Sequence, residues 1–219
     1  MGGRVRGLIY GVCINDAPYV TQQTINGKKW RCPFYVKWYG MITRCYSEPV
    51  KRRKSYYLES SVCEAWKVFS AYLSWHKDYT GGIDIFDWQL DKDIICEGNT
   101  VYSPAKCCII PNYVNSVSAD SHKSRGPYPM GVGKLNNENL SKPYLSQIRV
   151  ENKTQYLGLY ATPESAHRAW QRAKIDVISD IMARYSKERF IDARVLKGLQ
   201  TRVEKIHYHL KNGELTSSL

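Results

Sequence analysis

The sequence predicts an α+β protein, and two stretches of the chain carry this prediction. Residues 89–117 place strand signals on both sides of a turn at Glu97-Gly98-Asn99, because Gly and Asn tolerate the positive φ of tight turns. Residues 130–181 contain three short strand patterns followed by a helix with a regular apolar stripe. Small sheets combined with separate helices define the α+β class.

The first stretch is interpreted as strand, turn, strand and helix. Apolar residues bracket Asp91-Lys92-Asp93 in the first strand, and residues 100–102 are β-branched and aromatic, as a return strand would be. Ser103-Pro104 is typical of an N-cap followed by a proline in the first helical turn. The resulting ββα unit has carboxylates near its start and Asn115 near its end. Because hard divalent cations prefer oxygen ligands, this unit is a candidate metal site.

These residues also resemble a known family. The segments LDKD and YSPAKC with a later Asn resemble a divergent motif of the HNH (His-Me finger) nucleases, in the form found in phage-encoded homing-type endonucleases. A wider pattern, from GVCINDAPY through RCPFYVKWYGMITRCY to GNTVYSP, is similar to the same family and extends to about Tyr185. The resemblance implies a ββα-metal nuclease domain that cleaves double-stranded DNA with Mg²⁺ or another divalent cation.

The resemblance also implies roles for individual positions. Asp91 occupies the metal-binding Asp position, and Asn115 occupies the late metal-ligand position. Lys92 stands where the family has its general-base His, and Lys106 stands where it has the middle Asn. We therefore expect Asp91 and Asn115 to approach each other and to bind the metal.

With the His position changed, the activation of water would fall to Asp93, Lys92 or His76, the only histidine before residue 120. Lys92 would need a strongly depressed pKa for this, whereas a protonated Lys92 would steady the scissile phosphate. The two departures leave a second function open, a catalytically inactive DNA-binding protein on a nuclease scaffold that regulates or occludes DNA. A third alternative is binding to structured RNA or to a host protein.

The charge of the chain indicates nucleic acid as the partner. The formal net charge is +12, and it is segregated along the sequence. Residues 1–60 carry 11 Lys and Arg against 3 Asp and Glu, residues 61–120 carry 4 against 8, and residues 121–219 carry 17 against 9. Basic surfaces attract phosphate backbones through counterion release, and an acidic pocket between them is what a metal site needs. Ordinary solvation of these charges is the alternative.

Candidate DNA-contacting residues in the first 120 positions are basic. Lys37 and Arg44 lie seven apart, close to one face of a helix predicted from Pro33 to about Tyr46. The run from Lys51 to Lys54 is predicted to form a loop with tyrosines behind it, which favours backbone contact and stacking. The full set is Lys37, Arg44, Lys51, Arg52, Arg53, Lys54 and Lys106.

The second stretch predicts a three-stranded sheet that packs on one helix, with Thr162 as N-cap and Trp170 beneath the sheet. The segment YLGLYATPESAHRAW, after these strands, resembles the apetala-type (ethylene-response-factor) DNA-binding domain, which phage homing-type endonucleases often append. The resemblance implies a sheet in the DNA major groove. The strand residues that are candidates to face DNA are Lys142, Gln147, Arg149, Lys153 and Gln155.

Three segments are therefore expected: a nuclease-like domain over 1–120, a DNA-binding domain over 121–185, and a helical tail over 186–219. The tail repeats apolar residues at intervals of three and four from Leu196 to Leu210, a seam that is typical of a coiled coil. Packing of this seam on its own chain and self-association are both open.

Seven cysteines at irregular spacing predict free thiols in a reduced, cytoplasmic protein, which for a phage protein means the host cell. No two cysteines have the spacing of a zinc-ligand pair, so structural zinc is not favoured. No run of about 18 apolar residues exists, so no contact with a membrane is expected.

Overall fold

The computed structural model describes residues 7–118, 126–137, 139–151 and 153–219. They form a mixed α+β protein that divides into two compact units, Met1–Ile110 and Pro111–Leu219. The division falls before the predicted boundary at residue 120, and the helical tail belongs to the second unit. One reason is that Lys174 of the second unit donates a 2.6 Å hydrogen bond to the carbonyl oxygen of Val117. Among the described helices, none is long and apolar enough to cross a bilayer.

A β-hairpin begins the regular structure of the first unit. Strand β1 (Gln22–Ile25) pairs antiparallel with β2 (Lys28–Arg31), and every residue of both strands is exposed. Asn26 and Gly27 both have positive φ, 48° and 76°, as a two-residue hairpin turn requires. The Asn-Gly pair in the sequence therefore accounts for this hairpin.

Helix α1 (Pro33–Tyr46) has the predicted bounds and is followed by α2 (Glu48–Arg53). The proline opens α1 because its fixed φ suits the first helical turn, where its missing N–H is not needed. The prediction of a loop for the basic run was wrong, because three of its four residues form the last turn of α2. Basic side chains are stabilised there by the negative end of the helix dipole, opposite Glu48 in the first turn. A short 3₁₀ helix, Ser55–Tyr57, follows.

The next segment pairs over a long range. Strand β3 (Ser61–Val62) lies parallel to a later strand, β5 (Val101–Tyr102), and the Ser61 N–H donates to the Thr100 carbonyl oxygen at 2.9 Å. A 3₁₀ helix, Glu64–Lys67, follows β3, and helix α3 (Phe69–Thr80) begins two residues after it. It ends at Gly81, which has a left-handed conformation.

The predicted ββα unit has a different arrangement. Strand β4 (Gln89–Asp91) pairs antiparallel with β6 (Cys108–Ile110) and not with residues 100–102. Ser103 does not begin a helix, since its carbonyl oxygen only closes a single turn by accepting from the Cys107 N–H at 3.0 Å. All three residues of β6 are buried, so pairing with β6 lets β4 join the core. The following helix, α4 (Asn112–Asn115), belongs to the second unit.

The second unit contains the predicted three-stranded sheet. Strands β7 (Val132–Lys134), β8 (Tyr144–Val150) and β9 (Lys153–Tyr160) are antiparallel, in that order. Helix α5 (Pro163–Tyr185) packs on the sheet, and the Thr162 side chain accepts from the Ser165 N–H as its N-cap. Trp170 is buried with Met130 and Ile148, so its predicted place beneath the sheet is confirmed.

Helix α6 (Ala193–Asn212) packs against α5. Three apolar residues of the predicted seam are buried: Leu199, Val203 and Ile206. The seam therefore packs against its own chain within the second unit. The segment after α6 is tied to α5, because the Thr216 N–H donates to His167 Nε2 at 3.0 Å. Self-association remains a prediction.

Candidate functional site

A loop connects the last residue of β4 to the first residue of β5. We call this segment, residues 91–101, the Asp91 loop. Asn99 organises it from a position that is 4% exposed. Its amide nitrogen donates to the carbonyl oxygens of Lys92 at 3.0 Å and Val101 at 2.9 Å, and its amide oxygen accepts from the Val101 N–H at 3.0 Å. One side chain thus satisfies three backbone groups and holds the two ends of the loop together.

Lys92 lies inside this loop, 8% exposed. Its ammonium donates to Asp93 Oδ1 at 2.6 Å and to the Asn99 carbonyl oxygen at 2.6 Å. A buried charge is tolerated when it is paired and hydrogen-bonded in this way. The expected roles of Lys92 at a phosphate or as a base therefore do not fit, because its donors face the loop rather than solvent.

The Asp91 carboxylate caps the turn that begins the loop. Its Oδ1 accepts from the N–H groups of Asp93 at 2.9 Å and Ile94 at 2.7 Å, a local arrangement that Asp commonly adopts at turns. A metal ion at Asp91 would compete with these two N–H groups, and Asp93, the neighbouring carboxylate, is already paired with the Lys92 ammonium. The binding of a divalent cation at the Asp91 loop therefore remains a prediction.

Over the described parts of the chain, no group of three or more His, Cys, Asp or Glu side chains is arranged to bind a metal. Asn115 lies at the end of α4 in the second unit, so its expected approach to Asp91 in the first unit remains a prediction. None of the seven cysteines, all of which lie among the described residues, forms a disulfide, and burial raises the pKa of the Cys107 thiol to about 12.

His76, the third candidate base, lies in an aromatic pocket. It is 1% exposed, and its ring centroid is 4.7 Å from that of Phe34 and 6.1 Å from that of Tyr72. Burial, and secondarily the charge of Lys37, lowers the pKa of His76 to about 4. A neutral imidazole enclosed by rings has no access to a water at a phosphate, so the catalytic role expected for His76 is not supported by its position.

The His76 pKa predicts a pH-dependent stability of the first unit. The unfolded chain binds the proton below about pH 6.5, whereas the folded chain binds it only near pH 4, so stability falls as the pH falls between these values. We expect the free energy of unfolding to drop by about 2 kcal/mol between pH 7 and pH 5 from this group alone. Denaturant titrations that follow tryptophan fluorescence should show this slope in wild type and a flatter one in His76→Leu. Equal slopes would contradict the assignment.

A cleft of about 500 Å³ in the first unit runs along one face of α1, and we call it the α1 cleft. The hairpin borders it with Gln22 and Arg31, and the region of α2 borders it with Val50, Arg53 and Lys54. Helix α1 contributes Tyr35, Val36, Tyr39, Gly40, Thr43 and Arg44. The lining therefore includes four cationic side chains, and no Asp or Glu is among its residues.

The cations of the α1 cleft are not paired with any acidic side chain that the structure describes. Among the described residues, no carboxylate forms an ion pair with Arg31, Arg44, Arg53 or Lys54. The Arg44 guanidinium lies 5.4 Å from the centroid of the Tyr102 ring, and its buried Nε lacks a hydrogen-bond partner within the described structure. Unpaired cations around a concave surface attract an anionic ligand.

The other basic candidates of the first unit are more scattered. Arg52 is exposed on α2 beside the cleft residues, Lys51 is half-buried, and Lys106 is exposed in the turn before β6. Lys37 donates to the carbonyl oxygen of Phe86, and burial lowers its pKa. The Phe86 ring lies 5.0 Å from that of Phe34, which also contacts His76. Lys37 is therefore bound beside the aromatic pocket of His76, and it does not line the α1 cleft.

The sheet of the second unit separates the strand candidates by face. Gln147 and Arg149 are exposed, and they pair with Tyr156 and Thr154, so these four side chains share the outer face. Gln155 pairs with Ile148, which faces α5.

Lys153 pairs with Val150, which also packs toward the Trp170 core. Gln155 and Lys153 therefore share the face of the sheet on which α5 packs, although both are exposed. Their contact with DNA remains a prediction. Lys142 is exposed just before β8.

The α1 cleft was not anticipated as a whole. Tyr35, Tyr39 and Thr43 recur at intervals of four, as do Val36, Gly40 and Arg44, and this periodicity was the available signal. Arg31 joins them only because the hairpin folds beside α1. Comparisons with protein-family models, curated proteins and solved structures gave no match for this chain.

Proposed function

We propose that the protein binds double-stranded DNA and that the Asp91 loop is a structural element rather than a catalytic one. The observation that supports this is the α1 cleft, where four cations with no acidic partner in the described parts of the chain lie beside tyrosine rings. Protein cations that replace the counterions of phosphates drive such binding independently of sequence. The outer face of the sheet, with Gln147 and Arg149, supplies a second DNA-facing surface in this proposal.

The test is the affinity for a labelled duplex as a function of salt. We expect binding to weaken steeply between about 50 and 200 mM salt, and the slope of log Kd against log salt to fall by about two in Arg53→Gln/Lys54→Gln, since each phosphate contact contributes about one unit. Lys197→Gln, which removes an exposed cation from α6, is the matched control and should leave the slope unchanged. A salt-insensitive affinity would contradict DNA binding.

Metal-dependent cleavage of DNA is a second candidate function. The order of elements favours it, because Asp91 ends β4 and its partner β6 leads directly into the helix that carries Asn115. With a metal bound, the loop would need to release Oδ1 from its two N–H donors.

Nicking of supercoiled plasmid with Mg²⁺ or Mn²⁺ separates the two candidates. We expect that wild type shows no chelator-sensitive nicking. We also expect its affinity for DNA to be the same with and without chelator. If chelator-sensitive nicking is found, Asp91→Asn identifies its origin, because the amide retains an oxygen that can accept from both N–H groups while removing the carboxylate charge. A loss of about 10²-fold in Asp91→Asn would then establish cleavage at this site.

A further inference from the structure

Gly40 leaves an opening in the wall of the α1 cleft. It lies in the middle of a 14-residue helix, where glycine is less favourable than alanine. A Cβ atom placed at Gly40 would meet no other atom within 4 Å. Neither close packing nor a positive φ requires a glycine here, so its effect is to keep the cleft open between the tyrosines and the cations.

Aromatic rings form one wall of the cleft. Tyr35 and Tyr39 are stacked with ring centroids 5.7 Å apart, and Tyr10 stacks on Tyr39 at 6.4 Å. Tyr35 is buried and fixes the arrangement, whereas Tyr39 is 39% exposed. Tyr39 therefore combines a supported ring with an accessible surface, which suits stacking against a planar ligand.

The cleft thus offers a cationic lining, an aromatic wall and a gap between them. A nucleotide combines the matching groups, a phosphate and a planar base. A volume of about 500 Å³ is in the range of small-ligand sites, so the backbone of a duplex would contact the cations at the borders of the cleft without entering it. Bases become available for stacking on a side chain only where they are unpaired or extruded from the duplex.

We propose that the α1 cleft binds one unpaired nucleotide of a DNA strand, with its phosphate at the cations and its base against Tyr39. This inference rests on the proposed DNA binding and adds a preference for DNA with unpaired nucleotides. A free mononucleotide has the same chemistry, but it lacks the neighbouring phosphates, which Arg31 and Lys54 at the borders of the cleft would also contact.

The experiment measures Kd by fluorescence anisotropy, at one ionic strength, for a fully paired duplex and for the same duplex with a gap of roughly five nucleotides. We expect wild type to bind the gapped DNA about tenfold more tightly or better. Gly40→Glu places a carboxylate among the cations and fills the opening, so this preference should disappear. Gly40→Gln, which is about the same size but neutral, should lose less of it.

The Gly40 variants test the cleft without disturbing the core, because the added atoms enter open space and the helix propensity rises. Their thermal unfolding is expected to match that of wild type, and Tyr39→Leu gives an independent variant should one of them unfold. Equal wild-type affinity for paired and gapped DNA, or a preference that survives in both Gly40→Glu and Tyr39→Leu, overturns the inference and leaves the proposed function intact. No binding to either DNA overturns the proposed function itself. A mononucleotide that competes as well as gapped DNA would assign the cleft to free nucleotides and overturn the inference.

Discussion

Asn99→Ala is expected to lower the free energy of unfolding of the first unit by about 3 to 4 kcal/mol. The substitution removes three hydrogen bonds at once and leaves the carbonyl oxygen of Lys92 and both backbone groups of Val101 without the partner they now have. It also loosens the Asn99 carbonyl oxygen that accepts from the Lys92 ammonium. A buried charge that loses part of its hydrogen bonding adds to the cost.

Denaturant unfolding that follows tryptophan fluorescence measures this effect, because five of the six tryptophans lie in the first unit. Thr100→Ala changes the exposed neighbour and is the matched control, with an expected effect within about 0.5 kcal/mol. Asn99→Asp keeps an oxygen that can accept from the Val101 N–H and should fall between the two. A cost below about 1 kcal/mol for Asn99→Ala would mean that the loop is not organised by this side chain.

Elements that depend on neighbouring residues were predictable from the sequence. The hairpin follows from Asn26-Gly27, since positive φ at both positions selects that turn. Helix α1 follows from Pro33 and from the recurrence of Trp38, Met41 and Ile42 at helical spacing. In these cases, the information that decides the structure lies within a few residues of the element.

Elements that depend on distant partners were not predictable in this way. Ser61, with Glu64 three residues later, has the local pattern of a capping box. Ser61 nevertheless lies in a strand that pairs with residues 101–102, and Ser103 before Pro104 closes only a single turn. The partner of β4 was chosen by burial, because β6 is buried on both faces while residues 100–102 are taken by β3. Local capping preferences of about 1 kcal/mol are easily outweighed by such long-range pairing.

The candidate site shows the same limit. The charge pattern Asp91-Lys92-Asp93 predicted a metal site, whereas the burial of Lys92 in this loop depends on Asn99, seven residues later. On the sheet, the pairing of Val150 with Lys153 and of Ile148 with Gln155 decides which side chains of β9 share a face with those of β8. Alternation within each strand does not give this pairing, so the sequence alone grouped Gln155 with Gln147 and Arg149.

Gly131→Ala is expected to destabilise the second unit by about 4 kcal/mol. Gly131 has φ of 76°, a conformation that costs an L-residue about 1–2 kcal/mol. A Cβ atom at this position would lie 2.0 Å from Cδ1 of Trp170. Trp170 is 5% exposed in the core with Met130 and Ile148, so neither the ring nor the backbone can move without opening that core.

Gly133→Ala, two residues away in β7, provides the matched control. Gly133 lacks a positive φ, and a Cβ atom there meets nothing within 4 Å, so alanine at this position should cost less than about 0.5 kcal/mol. Hydrogen exchange of the α5 amides separates the two variants, because the helix loses protection when its contact with the sheet through Trp170 is lost. Strong protection of α5 in Gly131→Ala would show that the contact between the helix and the sheet survives the added methyl group, and it would contradict this prediction. Combining Gly131→Ala with Trp170→Ala relieves the collision but leaves a cavity, so the double variant should be less destabilised than the sum of the two single ones.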